Sequence, residues 1–286
     1  MTTGAVTLLY VPGDRPDRIP KAFTAGADEV IVDLEDAVHD GRKASARDGL
    51  GAAAGRASEA VGLQVRVNAP GTTWFDDDLE AVAALPGGVG VRVPKVEDPA
   101  TVELVRSRVG ARDVHLLVET AKGVAALGDI AAARPASIGL GEADLRSELG
   151  IEPGPALDWL RVSLVVAVRA AGLPAPHMSA YTVVGDDAAL EEDCAAGRRL
   201  GFLGRTAVHP RQLAVIRRAF RPSEDELARA LAVLEGLDGA RDAGSGVLVL
   251  TDGRFVDRAM VGGARRTVDL HQRLAQQTAE ERVSGD

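Results

Sequence analysis

The chain of 286 residues carries 33 basic and 42 acidic side chains, a formal charge of −9, with 46% hydrophobic and 3% aromatic residues. This composition excludes a disordered chain, a collagen-like repeat and a small disulfide scaffold, and the shortage of Lys and Arg speaks against broad binding to nucleic acid. Cys194 is the single cysteine, no apolar run reaches bilayer length, and the amino-terminal MTTGAVTLLYVPGDRP lacks the pattern of a secretory leader, so a cytoplasmic protein with no membrane partner is expected.

Along the chain, short β-branched runs alternate with Ala- and Arg-rich segments of helical period, the pattern of parallel strands joined by crossover helices. Strands are expected at 6–12, 29–34, 63–68, 89–95, 114–120, 136–141, 176–181 and 201–208, the seventh having the weakest pattern. Helices are expected at 16–25, 42–60, 75–85, 99–109, 122–133, 156–172, 186–199 and 211–220. Eight such units fit a (β/α)8 TIM barrel over residues 1–221. An open doubly wound sheet would alternate similarly, but VPGDRP after the first strand has one glycine where the dinucleotide-binding loop needs three. Residues 222–286 break the pattern and read as helix, hairpin around Asp252-Gly253, and helix, a carboxy-terminal extension.

In a βα barrel the active site lies at the carboxyl ends of the strands. Those ends carry Asp33, Glu35 and Asp36, then Arg66 and Asn68, Lys95 and Glu97, Glu119, and Asp144. Buried charge is costly unless paired or metal-bound, so this convergence points to a ligand or an ion. Glu119 and Asp144 follow neighbouring strands and suit a divalent cation such as Mg2+; the other reading is an ion network with Arg66 or Lys95, and spacing does not choose between them. Arg66 suits a carboxylate or enolate oxygen, or an interior ion pair. Lys95 raises a Schiff-base aldolase, against which stands the commoner role of partner to Glu97 or Glu35. His209 reads as a helix start, Cys194 as a packed thiol, Trp74 and Phe75 as core, and Asp76, Asp77 and Asp78 as a solvated helix start. Arg15, Arg18 and Lys21 after the first strand could meet phosphates or simply face solvent.

The segments LLYVPGDRPDRIPKAFTAGADEVIVDLEDAV, VRVNAPGTTWFDDDL, VPKVED, VETAKG, GEADLRSELG and GFLGRTAVHPRQL, in that order, resemble the citrate lyase beta subunit-like branch of the HpcH/HpaI aldolase family over residues 1–221. The resemblance implies a magnesium-dependent carbon–carbon lyase acting on a 3-hydroxy-acyl thioester of coenzyme A, such as malyl-CoA or citramalyl-CoA, or a citryl thioester subunit working with an acyl carrier protein. It implies Glu119 and Asp144 as the magnesium ligands, Arg66 beside the reacting carbonyl, and Glu35 and Asp36 as the supporting acids. It also implies a homotrimer in which Asp257 of GRFVDRAM reaches a neighbouring subunit as the catalytic acid or base. Ala259, where the family usually has Pro, and Met178, where it usually has Asp, depart from the pattern.

Overall fold

The fold was obtained as a computed structural model that describes residues 4–58, 60–242, 247–249 and 255–284, with backbone alone for 237–242, 247–249, 255–259 and 277–284. Eight strands, β1 (Thr7–Pro12), β2 (Glu29–Asp33), β3 (Gly62–Arg66), β4 (Gly90–Val93), β5 (Val114–Val118), β6 (Ser137–Leu140), β7 (His177–Met178) and β8 (Gly204–Ala207), pair in parallel in the order β6-β5-β4-β3-β2-β1-β8-β7. Helices surround them, and the sheet curls into a nearly closed (β/α)8 TIM barrel whose ladder ends, β6 and β7, are bridged by the Glu142 amide donating to Ser179 Oγ at 3.3 Å. Val and Ile crowd the strands because each strand of a parallel barrel is covered on both faces; Val30, Ile31, Val32, Val65, Val91, Val93 and Leu116 are wholly buried.

Several expected helices differ in extent. The segment 42–60 forms two short helices, Lys43–Asp48 and Leu50–Ala54, hinged at Gly49, and 122–133 forms Ala121–Ala125 and Leu127–Ala132. The seventh strand has only two residues. A helix that the apolar pattern did not reveal, Glu142–Leu149, follows β6 directly, with Glu142 and Asp144 in its first turn and Gly150 at φ 65° ending it. Acidic residues favour a helix amino terminus, and a glycine in the left-handed region favours its end, so this element is specified by its caps rather than by an apolar stripe.

The chain divides into two compact units, Met1–Phe220 and Arg221–Asp286. The second consists of helices Glu224–Asp242 and Arg258–Ser284 and the antiparallel strands β9 (Val247–Val249) and β10 (Phe255–Asp257), while Asp252-Gly253 lies outside the described residues. Ser223 and Glu226 cap the first of these helices reciprocally, the Ser223 amide donating to Glu226 Oε2 at 2.8 Å and the Glu226 amide to Ser223 Oγ at 3.2 Å. Among the described residues no helix is long and apolar enough to cross a membrane.

At the amino-terminal end of the barrel, buried Asp28 fastens β1 to β2. Its Oδ2 accepts from the amides of Val6 and Thr7, each at 2.8 Å, and from Thr7 Oγ1 at 2.9 Å, and its Oδ1 lies 3.2 Å from Arg217 Nη2. Asp28→Ala leaves two buried amides without their acceptor and is expected to lower unfolding free energy by about 3 kcal/mol in urea titrations followed by circular dichroism.

Candidate active site at the carboxyl end of the barrel

Period-two alternation aims Arg66 into the barrel, and the β2–β3 register sets it opposite Asp33. Asp33 takes it in two-point fashion, Nε to Oδ1 at 2.7 Å and Nη2 to Oδ2 at 2.6 Å, and is itself fixed by the amides of Glu35 at 2.9 Å and Ala37 at 3.1 Å. Arg66 Nη1 lies 2.9 Å from Glu35 Oε2 and 3.2 Å from Asp36 Oδ2, and the guanidinium sits over the Tyr10 ring, 4.9 Å from its centroid. Burial disfavours the charge on Arg66, but Asp33 outweighs it and holds the guanidinium protonated above its ordinary range.

Glu119 follows β5, and Asp144 sits in the first turn of the helix after β6. Both line one cavity of about 120 Å³ together with Arg66, Tyr10 and Ser179. Glu119 is 4% exposed, yet among the described residues its carboxylate has no hydrogen-bond or ion-pair partner. Burial first, then the negative charges of Glu35 and Asp144, push its pKa up to about 8. The carboxyl lies flat on the backbone of Gly141: a Cβ there would come within 2.4 Å of Glu119 Cγ and 2.6 Å of Oε1. Two unpartnered carboxylates facing one polar cavity are the donor set of a hard divalent cation. No group of three or more His, Cys, Asp and Glu side chains is gathered for a metal among the described residues, so such an ion would complete its shell from water and ligand oxygens.

Comparison with known proteins decides the lineage. Residues 6–210 match the family model described as HpcH/HpaI aldolase/citrate lyase. The chain belongs to this family. It is 33% identical over 274 residues to a (3S)-malyl-CoA thioesterase of Cereibacter sphaeroides, covering 94% of this chain and 95% of the relative. It is 30% identical over 285 residues to the citrate lyase subunit beta of Leuconostoc mesenteroides, with 92% of each chain covered. Among solved structures, Mycobacterium tuberculosis CitE in complex with magnesium, acetoacetate and coenzyme A superposes with a TM-score of 0.79 at 31% identity, covering 95% of this chain and 100% of that one. An aldolase/citrate lyase family enzyme is therefore a lyase built on the barrel described above.

Within this family member, the structure distributes the acidic and basic residues expected at the mouth unequally. Arg66, Glu35, Asp36 and Lys95 form one network, with Lys95 Nζ 2.9 Å from Glu35 Oε1. Lys95 adopts φ 52°, an uncommon left-handed setting for a residue with a side chain, at the turn that carries its ammonium back over the mouth. Burial pulls its pKa down but Glu35 more than offsets this, so the amine stays protonated, the opposite of what Schiff-base chemistry needs. Glu97 turns away to Lys122 at 2.9 Å and Thr120 at 3.0 Å. Arg15 is held by Asp17 at 2.9 Å on the loop after β1 and does not line the cavity. His209 sits at a helix start, its Nδ1 accepting from the Arg211 amide at 3.2 Å, and Cys194 is buried, which pushes its thiol pKa up. Asp257 ends β10, and its side chain lies outside the described residues.

One expectation fails outright. Asp78, read as part of a solvated helix start, is fully buried: its Oδ2 accepts from the Asn68 amide at 2.8 Å and from Asn68 Nδ2 at 2.6 Å, while Oδ1 pairs with Arg47 at 2.9 Å. Asp76 and Asp77 remain exposed and pair with Arg108 and Arg47. Sequence reasoning also passed over Tyr10 and Arg92, which line the cavity, although alternation along VGVRV sets Gly90 and Arg92 on the face opposite the valines.

Glu119 makes a signed prediction. Its folded pKa near 8 exceeds the ordinary carboxylate value, so in metal-free protein its contribution to stability is complete below the ordinary value and is lost as pH rises through 8. Glu119→Gln is expected to stabilise the metal-free protein by roughly 2 kcal/mol or more at pH 8.5, a gain that shrinks as pH falls toward 5, measured by urea unfolding across pH. A gain independent of pH would contradict the raised pKa.

Proposed function

We propose that the protein is a magnesium-dependent carbon–carbon lyase that cleaves a 3-hydroxy-acyl-CoA thioester, such as malyl-CoA or citramalyl-CoA, into an acyl-CoA and a 2-oxo acid, or runs the condensation in reverse. The observation that carries this reading is the buried, unpartnered Glu119 sharing a cavity with Asp144 and Arg66. CitE with magnesium, acetoacetate and coenzyme A, and the malyl-CoA thioesterase relative, support the choice of metal and thioester.

Glu119 and Asp144 would hold the ion, and Mg2+ bound there supplies Lewis-acid polarisation of the acid half's oxygens. In cleavage the hydroxyl gives its proton to the Asp257 carboxylate and becomes a carbonyl, the bond between the α and β carbons breaks, and its electron pair passes to the thioester enolate. Arg66 offers that enolate oxygen a fixed positive charge, and Asp33, Glu35 and Asp36 keep the guanidinium from turning. Preorganisation matters here because a donor already oriented costs no rearrangement as charge develops. The enolate carbon must then take up a proton, and Asp257 from a neighbouring subunit of a trimer is the acid that returns it. Lys95, cationic beside Glu35, lends further positive charge to the mouth. The relationship to citrate lyase subunit beta keeps an acyl carrier protein as a second possible thioester carrier.

Asp144→Asn is expected to lower magnesium-dependent cleavage of malyl-CoA or citramalyl-CoA at least a hundredfold, measured by release of the 2-oxo acid; an unchanged rate removes Asp144 from the site. Delivery of Asp257 between subunits has its own signature. Arg66→Met and Asp257→Ala are each expected to be inactive alone, whereas mixed oligomers formed by co-refolding recover activity, because some sites then combine an intact Arg66 with an intact Asp257. No recovery on mixing means that Asp257 acts within its own chain or not at all.

A further inference from the structure

Little apolar packing holds Asp144 in place. It stands in the first turn of the eight-residue helix Glu142–Leu149, of which only Glu142 and Leu145 are buried. Its own carboxylate has no hydrogen-bond or ion-pair partner among the described residues. The helix also leaves β6, which is one end of the barrel's ladder, so on that side no strand pairs with it.

Beyond the Glu142 amide contact with Ser179, the helix start is held by charge. Arg161, on the helix Pro155–Ala170, grips Glu142 at two points, Nε to Oε1 at 2.9 Å and Nη2 to Oε2 at 2.8 Å. Its Nη1 lies 3.0 Å from Oδ1 of Asp193, on the helix Asp187–Leu200, and Asp193 Oδ2 accepts from Arg205 Nη1 of β8 at 2.7 Å. The Arg161 side chain is 6% exposed and that of Arg205 2%, and Arg205 lies over the Tyr181 ring, 5.1 Å from its centroid. Glu142, Arg161, Asp193 and Arg205 thus alternate in charge from the helix after β6 to β8, across the place where the strand ladder stops. Burial disfavours the charge on Arg161, and Glu142 with Asp193 outweighs it.

A buried ion pair adds little net stability over an apolar pair of similar volume. Its two-point geometry nonetheless allows one orientation only, so it fixes the roll and the height of the helix start. Residues two apart lie about 200° from each other around a helix, so pinning Glu142 on the outer side turns Asp144 toward the cavity that it lines with Glu119. We infer that Arg161 is a positioning residue for the candidate metal site: by fixing Glu142 it sets the direction of Asp144, and with it the affinity of the site for a divalent cation. This rests on the reading that Glu119 and Asp144 hold Mg2+. Arg161 does not line the cavity, so its effect reaches the ion through the helix start.

The test is calorimetric titration of the metal-free full chain with Mg2+, which reads the site without turnover. Arg161→Met is expected to weaken Mg2+ binding at least about fivefold, and Arg161→Lys, which keeps the charge but loses the two-point fork, to recover part of the loss. Glu142→Gln, which keeps the volume and one accepting oxygen, is expected to weaken binding about threefold and serves where Arg161→Met does not fold. Asp28→Ala loosens the opposite end of the barrel and is expected to bind Mg2+ as the wild-type chain does. Wild-type affinity in Arg161→Met, or in Glu142→Gln if only that variant folds, overturns the inference. So does an equal loss in Asp28→Ala, which would make the effect one of general loosening. Asp144→Asn separates the inference from the reading beneath it. Unchanged Mg2+ binding there removes the metal site, whereas a loss there beside an unaffected Arg161→Met removes only the role given to Arg161.

Discussion

The two-point pair between Asp33 and Arg66 decides the electrostatics of everything around it. Five carboxylates, those of Asp33, Glu35, Asp36, Glu119 and Asp144, gather at this end of the barrel. Arg66 meets the first three and Lys95 shares Glu35, so the local cations are consumed on one side of the mouth. Glu119 is left buried beside the negative charges of Glu35 and Asp144, and because Arg66 and Lys95 are already paired elsewhere they offset this only in part, so Glu119 holds its proton to about pH 8. Where Asp33 sends Arg66 therefore decides which carboxylates at the mouth are left without a direct cationic partner.

The open space beside Glu119 comes from β6 and the turn after it. Gly139 and Gly141, two residues apart, face the same way, and each keeps clear a volume a side chain would take. At Gly141 even a methyl group would displace the Glu119 carboxyl, so the orientation of that carboxyl depends on a backbone in the next unit. The same turn leads into the helix Glu142–Leu149, whose first residue is anchored outward by Arg161, Nε to Oε1 at 2.9 Å and Nη2 to Oε2 at 2.8 Å. That anchor fixes the helix start and with it the position of Asp144, two residues on.

The barrel was legible because eight β-branched runs separated by helical segments admit few other arrangements, and the mouth was legible because strand ends are where charge interrupts those runs. What stayed hidden had weaker local signals. The helix carrying Asp144 has no apolar stripe, only acidic residues at its start and Gly150 at its end. Asp78 stands in a run of three aspartates that looks uniformly solvated, and only the position of Asn68 in the loop after β3 shows that one of the three turns inward. Partner choice escaped for the same reason: Lys95 lies two residues from Glu97 in the chain but reaches Glu35, sixty positions away, because the chain reverses hand at Lys95.

Register explains how charge enters the barrel so deeply. Asp33, Arg66, Arg92, His115 and Ser137 are successive Cα partners across five neighbouring strands, and partners in a parallel sheet face the same side. Because barrel strands are tilted, this row descends: Asp33 is the last residue of β2, and Ser137 is the first of β6. One row therefore carries an arginine paired with a carboxylate at the rim, a second arginine tied through Gln64 to Glu29 lower down, and neutral groups at its foot.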